Sequence, residues 1–268
     1  MVAEAQGTRA LRFRDEFREF WRFLKRPGFA PRLPGRAASD GWWEDWFPGL
    51  SFWRLLQWAA FLWVVNLFVL GPIAATAASL GGAGHRLDIH RIPWLQALIW
   101  APIVEELVFR YGLRHIAQAL WLVPAAVVAL VLGPRWGTIL LLAAILLLCW
   151  LPYLKGRNNA PVRLNWLARA RRPMAWGLRL RYRRCFPWVF YASSVLFAGV
   201  HLNNFSLHLT PYWLMPLLVL PQWLTGLVLG WLRVRRGIGA SMLLHGLFNG
   251  GPLLVVWIAL HTVPQMLT

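Results

Sequence analysis

The chain has 268 residues, 58% of them hydrophobic, and a formal net charge of +18. Soluble domains run roughly 45–50% apolar, so this composition belongs with membrane proteins. A charge this basic would suit nucleic acid, but no nucleic-acid-binding motif accompanies it. From the N-terminus, residues 8–26, TRALRFRDEFREFWRFLKR, read as an amphipathic helix with Ala10, Phe13, Phe17, Phe20, Trp21 and Leu24 on one face. Such a helix either lies in the headgroup region or packs on the protein's own cytoplasmic surface. Residues 27–49 form a Pro/Gly-rich linker whose Trp42, Trp43 and Trp46 suit an interfacial position.

About seven apolar segments follow that approach the ~20 residues a bilayer-spanning helix needs. They are Phe52–Ala78, Trp94–His115, Ile116–Leu132, Trp136–Leu154, Trp188–Leu207, Tyr212–Leu232 and Ile238–Leu260. The expected fold is therefore all-α: a polytopic membrane helix bundle with an N-terminal amphipathic interfacial helix. Residues 1–49 form a cytoplasmic lead, and residues 50–268 form the membrane domain. No short apolar segment with a small-residue cleavage site precedes the spans, so no removable signal peptide is expected. Cys149 and Cys185 make no disulfide framework.

Of the 28 Lys and Arg, nine precede Gly41, ten lie between Lys155 and Arg184, and three are Arg233, Arg235 and Arg236. A cytoplasmic N-terminus and seven spans put all three clusters inside and the C-terminus outside, as the positive-inside rule requires. The basic loop then faces anionic headgroups of a bacterial-type inner membrane.

The acidic residues single out a site. Seven of the ten precede Leu50 and one is Asp88, so Glu105 and Glu106 are the only side-chain carboxylates after residue 88. Both fall mid-span, where ionisable residues mark function by default. Glu106 has Arg110 one turn later on its own face, whereas Glu105 lies about 100° round the helix. Five histidines, His85, His90, His115, His208 and His261, fall in loops or near span ends and read as interfacial polar residues. His201 and His245 fall inside spans, and Asn249 shares a helix face with His245. A lone intramembrane His is commonly an interhelical hydrogen-bonder, but two of them beside Glu105 suggest a shared pocket. Counted from the cytoplasmic span ends at 1.5 Å per residue, Glu105, His201 and His245 lie about 15, 20 and 10 Å deep, which allows one pocket opening to the cytoplasm.

EELVFR (Glu105–Arg110), FAGVH (Phe197–His201) and HGLFN (His245–Asn249) match EExxxR, FxxxH and HxxxN. In this order, inside membrane spans, they resemble the CAAX prenyl protease and bacteriocin-processing family of intramembrane endopeptidases. That resemblance implies hydrolysis of membrane-associated, prenylated or bacteriocin-like protein or lipidated peptide substrates. It implies Glu105 as the base activating water, His201 helping to hold that water, and His245 and Asn249 stabilising the oxyanion. Glu106, Arg110 and Phe197 would complete the motifs as orienting residues. Glu105 and His201 are further apart than the family's usual short connection, and residues 116–187, a helical hairpin plus the basic loop, are the candidate insertion. Zinc is conceivable on Glu plus two His, but HExxH is absent and no metal is expected to be required. Two other classes compete: a transporter or proton relay, which internal symmetry between residues 50–154 and 188–268 would revive, and a non-catalytic membrane scaffold that keeps the pocket.

Overall fold

A computed structural model describes residues 11–29, 33, 45–47, 50–88, 91–154 and 176–262, with backbone alone for 149–154. His90, Trp42, Trp43 and the basic residues from Lys155 to Arg172 lie outside the described residues. The helices are α1 (Phe13–Lys25), α2 (Phe52–Gly81), α3 (Ala101–Phe109), α4 (Ile116–Leu132), α5 (Trp136–Leu154), α6 (Trp176–Val200), α7 (Leu220–Arg236) and α8 (Ile238–Thr262). Two short strands, β1 (Gly84–His85) and β2 (Phe205–Ser206), pair antiparallel.

This is a membrane helix bundle. Three helices, Phe52–Gly81, Trp176–Asn204 and Ile238–Thr262, are long and apolar enough to cross a bilayer. The segment Tyr212–Leu218 and α7, bent by 50° at the break between them, are long and apolar enough for a fourth when taken as one span. That bend follows from Pro221, which has no N–H to continue the ladder across Val219. The other predicted spans are helical but shorter. α4 and α5 keep the expected ends, Ile116–Leu132 and Trp136–Leu154. The predicted span Trp94–His115 stops at Phe109, because Arg110 leaves the helical region (φ −120°, ψ −19°) and a 3₁₀ turn, Tyr111–Leu113, follows.

The same device shapes α2 and α3. A five-residue π turn, Asn66–Leu70, lies inside α2 and another, Gln96–Trp100, leads into α3, each immediately before a residue that precedes proline. Pro72 and Pro102 cannot donate, and the residue before each reaches back five positions: Gly71 N–H to Asn66 O, and Ala101 N–H to Gln96 O. At Gly71 a Cβ would sit 2.4 Å from that Asn66 oxygen, so a side chain there would have no room. Helix α2 then ends at Gly82, whose φ of +63° is the left-handed stop that glycine adopts without a steric penalty.

Helix α1 spends its aromatic face on the bundle. Phe20 and Phe23 are buried with Trp58, Phe186, Phe190 and Trp231 in one apolar core. Glu16 is buried between Arg236, Arg54 and the Trp58 indole, whose N–H lies 3.3 Å from its Oε2. Glu19 meets Arg235 at 2.9 Å and accepts from the Trp231 indole. A second core joins α3 to the α4–α5 hairpin through Val104, Leu107, Leu122, Ala126 and Ile145. Outward-facing residues such as Leu67, Phe68, Leu120, Val131 and Trp188 stay exposed, as lipid-facing positions do.

Candidate active site

Three elements converge on Glu105. It stands on α3; His201 opens the 3₁₀ turn His201–Asn204 just beyond α6; His245 and Asn249 stand on α8. His201 thus lies within the span Trp176–Asn204, on the 3₁₀ turn that ends it. A cavity of about 510 Å³ is lined by Glu105, Phe197, His201, His245 and Asn249. The four predicted catalytic residues are brought together.

The histidine nitrogens are aimed. His201 Nδ1 is 2.7 Å from the Phe197 carbonyl, one turn earlier. A carbonyl only accepts, so Nδ1 carries the proton and Nε2 presents a lone pair. That Nε2 lies 3.9 Å from Glu105 Oε2. His245 Nδ1 is 3.0 Å from Glu106 Oε1, while its Nε2 lies 3.7 Å from the same Glu105 Oε2. Glu105 Oε2 therefore faces two imidazole nitrogens just beyond direct hydrogen-bond reach, a separation at which a water can stand between the groups. Glu105 Oε2 is buried and has no protein hydrogen-bond partner among the described residues.

Glu106 points the other way and is fully buried. It receives Arg110 Nη1 at 2.7 Å, His245 Nδ1 at 3.0 Å and the Ser241 hydroxyl. The predicted Glu106–Arg110 pair is present, and Glu106 also orients His245. Phe197 is sandwiched: the Arg110 guanidinium lies 3.8 Å from its ring centre, and its edge meets His245 at 5.6 Å. Arg110 Nε and Nη2 find no hydrogen-bond partner among the described residues, and the ring face takes that place. Gly226 lets α7 close over this stack, since a Cβ there would meet Phe197 at 3.1 Å and Arg110 at 3.4 Å.

Asn249 donates one amide N–H to the Ala97 carbonyl at 3.0 Å. That carbonyl belongs to the π turn, and the residue five positions on is Pro102, which has no N–H to offer it. A second N–H remains on the amide, which lines the cavity.

Below the site, Arg233 holds the end of α3. Its Nε donates to Arg110 O at 3.2 Å, and its Nη1 contacts both Asp45 carboxylate oxygens at 2.7 and 2.8 Å. Sequence reasoning missed Ser241, Arg233 and Asp45. Only Ser241 left a signal, lying four residues before His245 on one helix face. Among the five peripheral histidines, His115 joins this support at 3.2 Å from Asp45, and His85 lines the cavity mouth.

The opening of the cavity departs from expectation. Its exposed lining includes His85, Arg86, Asn203 and Asn204 at the end that carries β1 and β2, together with Pro93, Gln96 and, on α8, Pro252. Arg233, Arg235 and Arg236 lie at the opposite end. An N-terminus inside and a pocket opening to the cytoplasm do not go together, because depth counting locates residues near mid-bundle without saying which end is open.

Residues 165–251 match the family model described as type II CAAX prenyl endopeptidase Rce1-like. The three motifs pointed to this family. The match takes in Phe197, His201, Ser241, His245 and Asn249, and ends short of Glu105, Glu106 and Arg110 upstream. No curated protein and no solved structure matches the chain. No group of three His, Cys, Asp or Glu side chains among the described residues is placed to hold a metal ion.

Proposed function

We propose that the protein is an intramembrane endopeptidase in which Glu105 activates a water molecule. One observation carries this reading: Glu105 Oε2 faces the Nε2 atoms of His201 and His245 at 3.9 and 3.7 Å in a cavity set into a membrane bundle. Water donates one proton to Glu105 and is held through its other by an imidazole lone pair. Its oxygen attacks the peptide carbonyl carbon, and the carbonyl oxygen becomes an oxyanion. The free N–H of Asn249 faces that charge, as does His245 when its Nε2 is protonated, with Glu106 stabilising the cation through Nδ1. Glu105 then passes its proton to the leaving nitrogen as the C–N bond breaks, giving a carboxylic acid and an amine. The match to an endopeptidase family supports the same chemistry.

Glu105→Gln keeps shape and removes the basic carboxylate, so peptide cleavage should fall at least the ~10²–10⁴-fold usual for general acid–base catalysis while folding persists. Cleavage by Glu105→Gln at the wild-type rate would end this reading. Proton-coupled flux in the wild type with no peptide product would favour a relay instead.

A further inference from the structure

The chain direction through the site fixes which end of the bundle is open. The chain enters α3 from the rim through the π turn, where Gln96 and Ala97 line the cavity, passes Glu105, and leaves the helix at Arg110, held by Arg233. Arg114, beyond it, donates to Val234 O at 2.6 Å. Helix α8 runs the other way, from Ile238 beside that arginine group through His245 and Asn249 to Pro252 and Leu253 at the cavity. Both helices give the same answer: the mouth and the Arg233–Arg236 group are at opposite ends.

Charge separates the two ends as sharply. Among the described residues, the Lys and Arg in the connections on the mouth side are Arg86, Arg91 and Arg135. The other end carries Arg54, Arg114, the Arg233–Arg236 group and helix α1 with its own basic residues. A membrane protein with this asymmetry places its basic end in the cytoplasm.

We infer that the cavity is loaded from the non-cytoplasmic side, so that the substrate is a peptide segment lying at or beyond the outer membrane surface. This rests on the endopeptidase reading for the nature of the substrate, though not for the side of entry. The rim suits an unfolded polypeptide: exposed Asn203 and Asn204 offer amide donors and acceptors to a peptide backbone, and Arg86 offers a cation. A volume near 510 Å³ is within the ~300–1,000 Å³ of ligand pockets and takes a short stretch of chain, not a folded domain. A segment anchored wholly in the cytoplasmic leaflet would meet the closed, arginine-rich end.

The test uses the full chain in sealed cells and in inverted vesicles, with Cys149→Ser leaving Cys185, exposed at the basic end, as the internal reporter. Leu87→Cys, 41% exposed at the rim, and Leu209→Cys, 87% exposed on the same side, report the other end. An impermeant maleimide should modify positions 87 and 209 in intact cells and Cys185 only in inverted vesicles. The reverse pattern overturns the inference, and neither result depends on turnover. A second arm presents one peptide segment fused to membrane anchors of opposite orientation. Product from the outward-facing fusion alone supports the substrate assignment, and product from the inward-facing fusion alone overturns it. Outward labelling with no product from either fusion defeats the hydrolase reading and the substrate assignment with it, while the side of entry stands.

Discussion

His245 Nδ1 faces Glu106 Oε1 at 3.0 Å across the contact between α8 and α3. The same oxygen takes Arg110 Nη1 at 2.7 Å, so one carboxylate both neutralises a buried cation and orients an imidazole. Glu106→Gln should therefore cost stability as well as activity. It leaves Arg110 buried without its counter-charge, a change worth ~3–5 kcal/mol in other proteins. Arg110→Ala should behave similarly by stranding Glu106. Ser241→Ala removes only one donor to Glu106, and should cost ~1.5–3 kcal/mol with a smaller loss of turnover. Thermal unfolding in detergent, read beside kcat, distinguishes these variants.

Asn249→Ala should lower turnover by ~10²–10³-fold if its amide faces the oxyanion. Substrate affinity should change little. A variant with normal kcat and raised KM would assign Asn249 to ground-state binding instead.

Close approach of α8 to the π turn is set by glycine. At Gly246 a Cβ would sit 2.9 Å from the Leu98 backbone oxygen, whereas at Gly250 it would meet only the Leu98 side-chain tip, also at 2.9 Å. A flexible tip can rotate away and a backbone carbonyl cannot. Gly246→Ala should thus destabilise by the ~1–3 kcal/mol typical of overpacking and widen the gap between Glu105 and His245, with activity falling. Gly250→Ala should be the milder of the two in both measurements.

Glu19, on α1 outside the spanning segments, contributes a pH dependence to stability. Burial holds its carboxyl above the ordinary 4.5, against the opposing pull of Arg235 and the Trp231 indole. Between 4.5 and the raised folded value, the folded chain binds a proton that the unfolded chain does not, so this group favours folding increasingly as pH falls through that window. The Tm of the wild type relative to Glu19→Gln should therefore rise as pH is lowered towards 4.5. A difference independent of pH would contradict the assignment.

The three motifs were legible because catalysis in an apolar segment requires residues that lipid does not tolerate. Glu105, His201, His245 and Asn249 stand out against their neighbours for that reason, and the bundle brings them together. The hairpin ends at Leu132 and Trp136 were equally plain, since Gly133 and Pro134 interrupt an otherwise apolar run. The π turns were not visible: apolar periodicity carries no sign of a five-residue hydrogen bond, although Pro72 and Pro102 mark where each is needed. Arg233 and Asp45 were hidden for another reason. Their pairing joins residues 188 positions apart, and in sequence a charge outside the spans carries only a topology signal.

The acids of the N-terminal lead have a consequence for the membrane domain. Asp45, Glu16 and Glu19 neutralise Arg233, Arg236 and Arg235 in turn. After residue 88 the chain has no carboxylate beyond Glu105 and Glu106, so the domain contains almost no counter-ions of its own. A chain begun at Leu50 would keep every motif residue yet lose the three carboxylates that stand between these guanidinium groups. Repulsion would act first on Arg233, which grips the last turn of α3, and so would loosen Glu105 from a distance. Glu16, Glu19 and Asp45 are, in this sense, counter-ions that the membrane domain carries on its own chain.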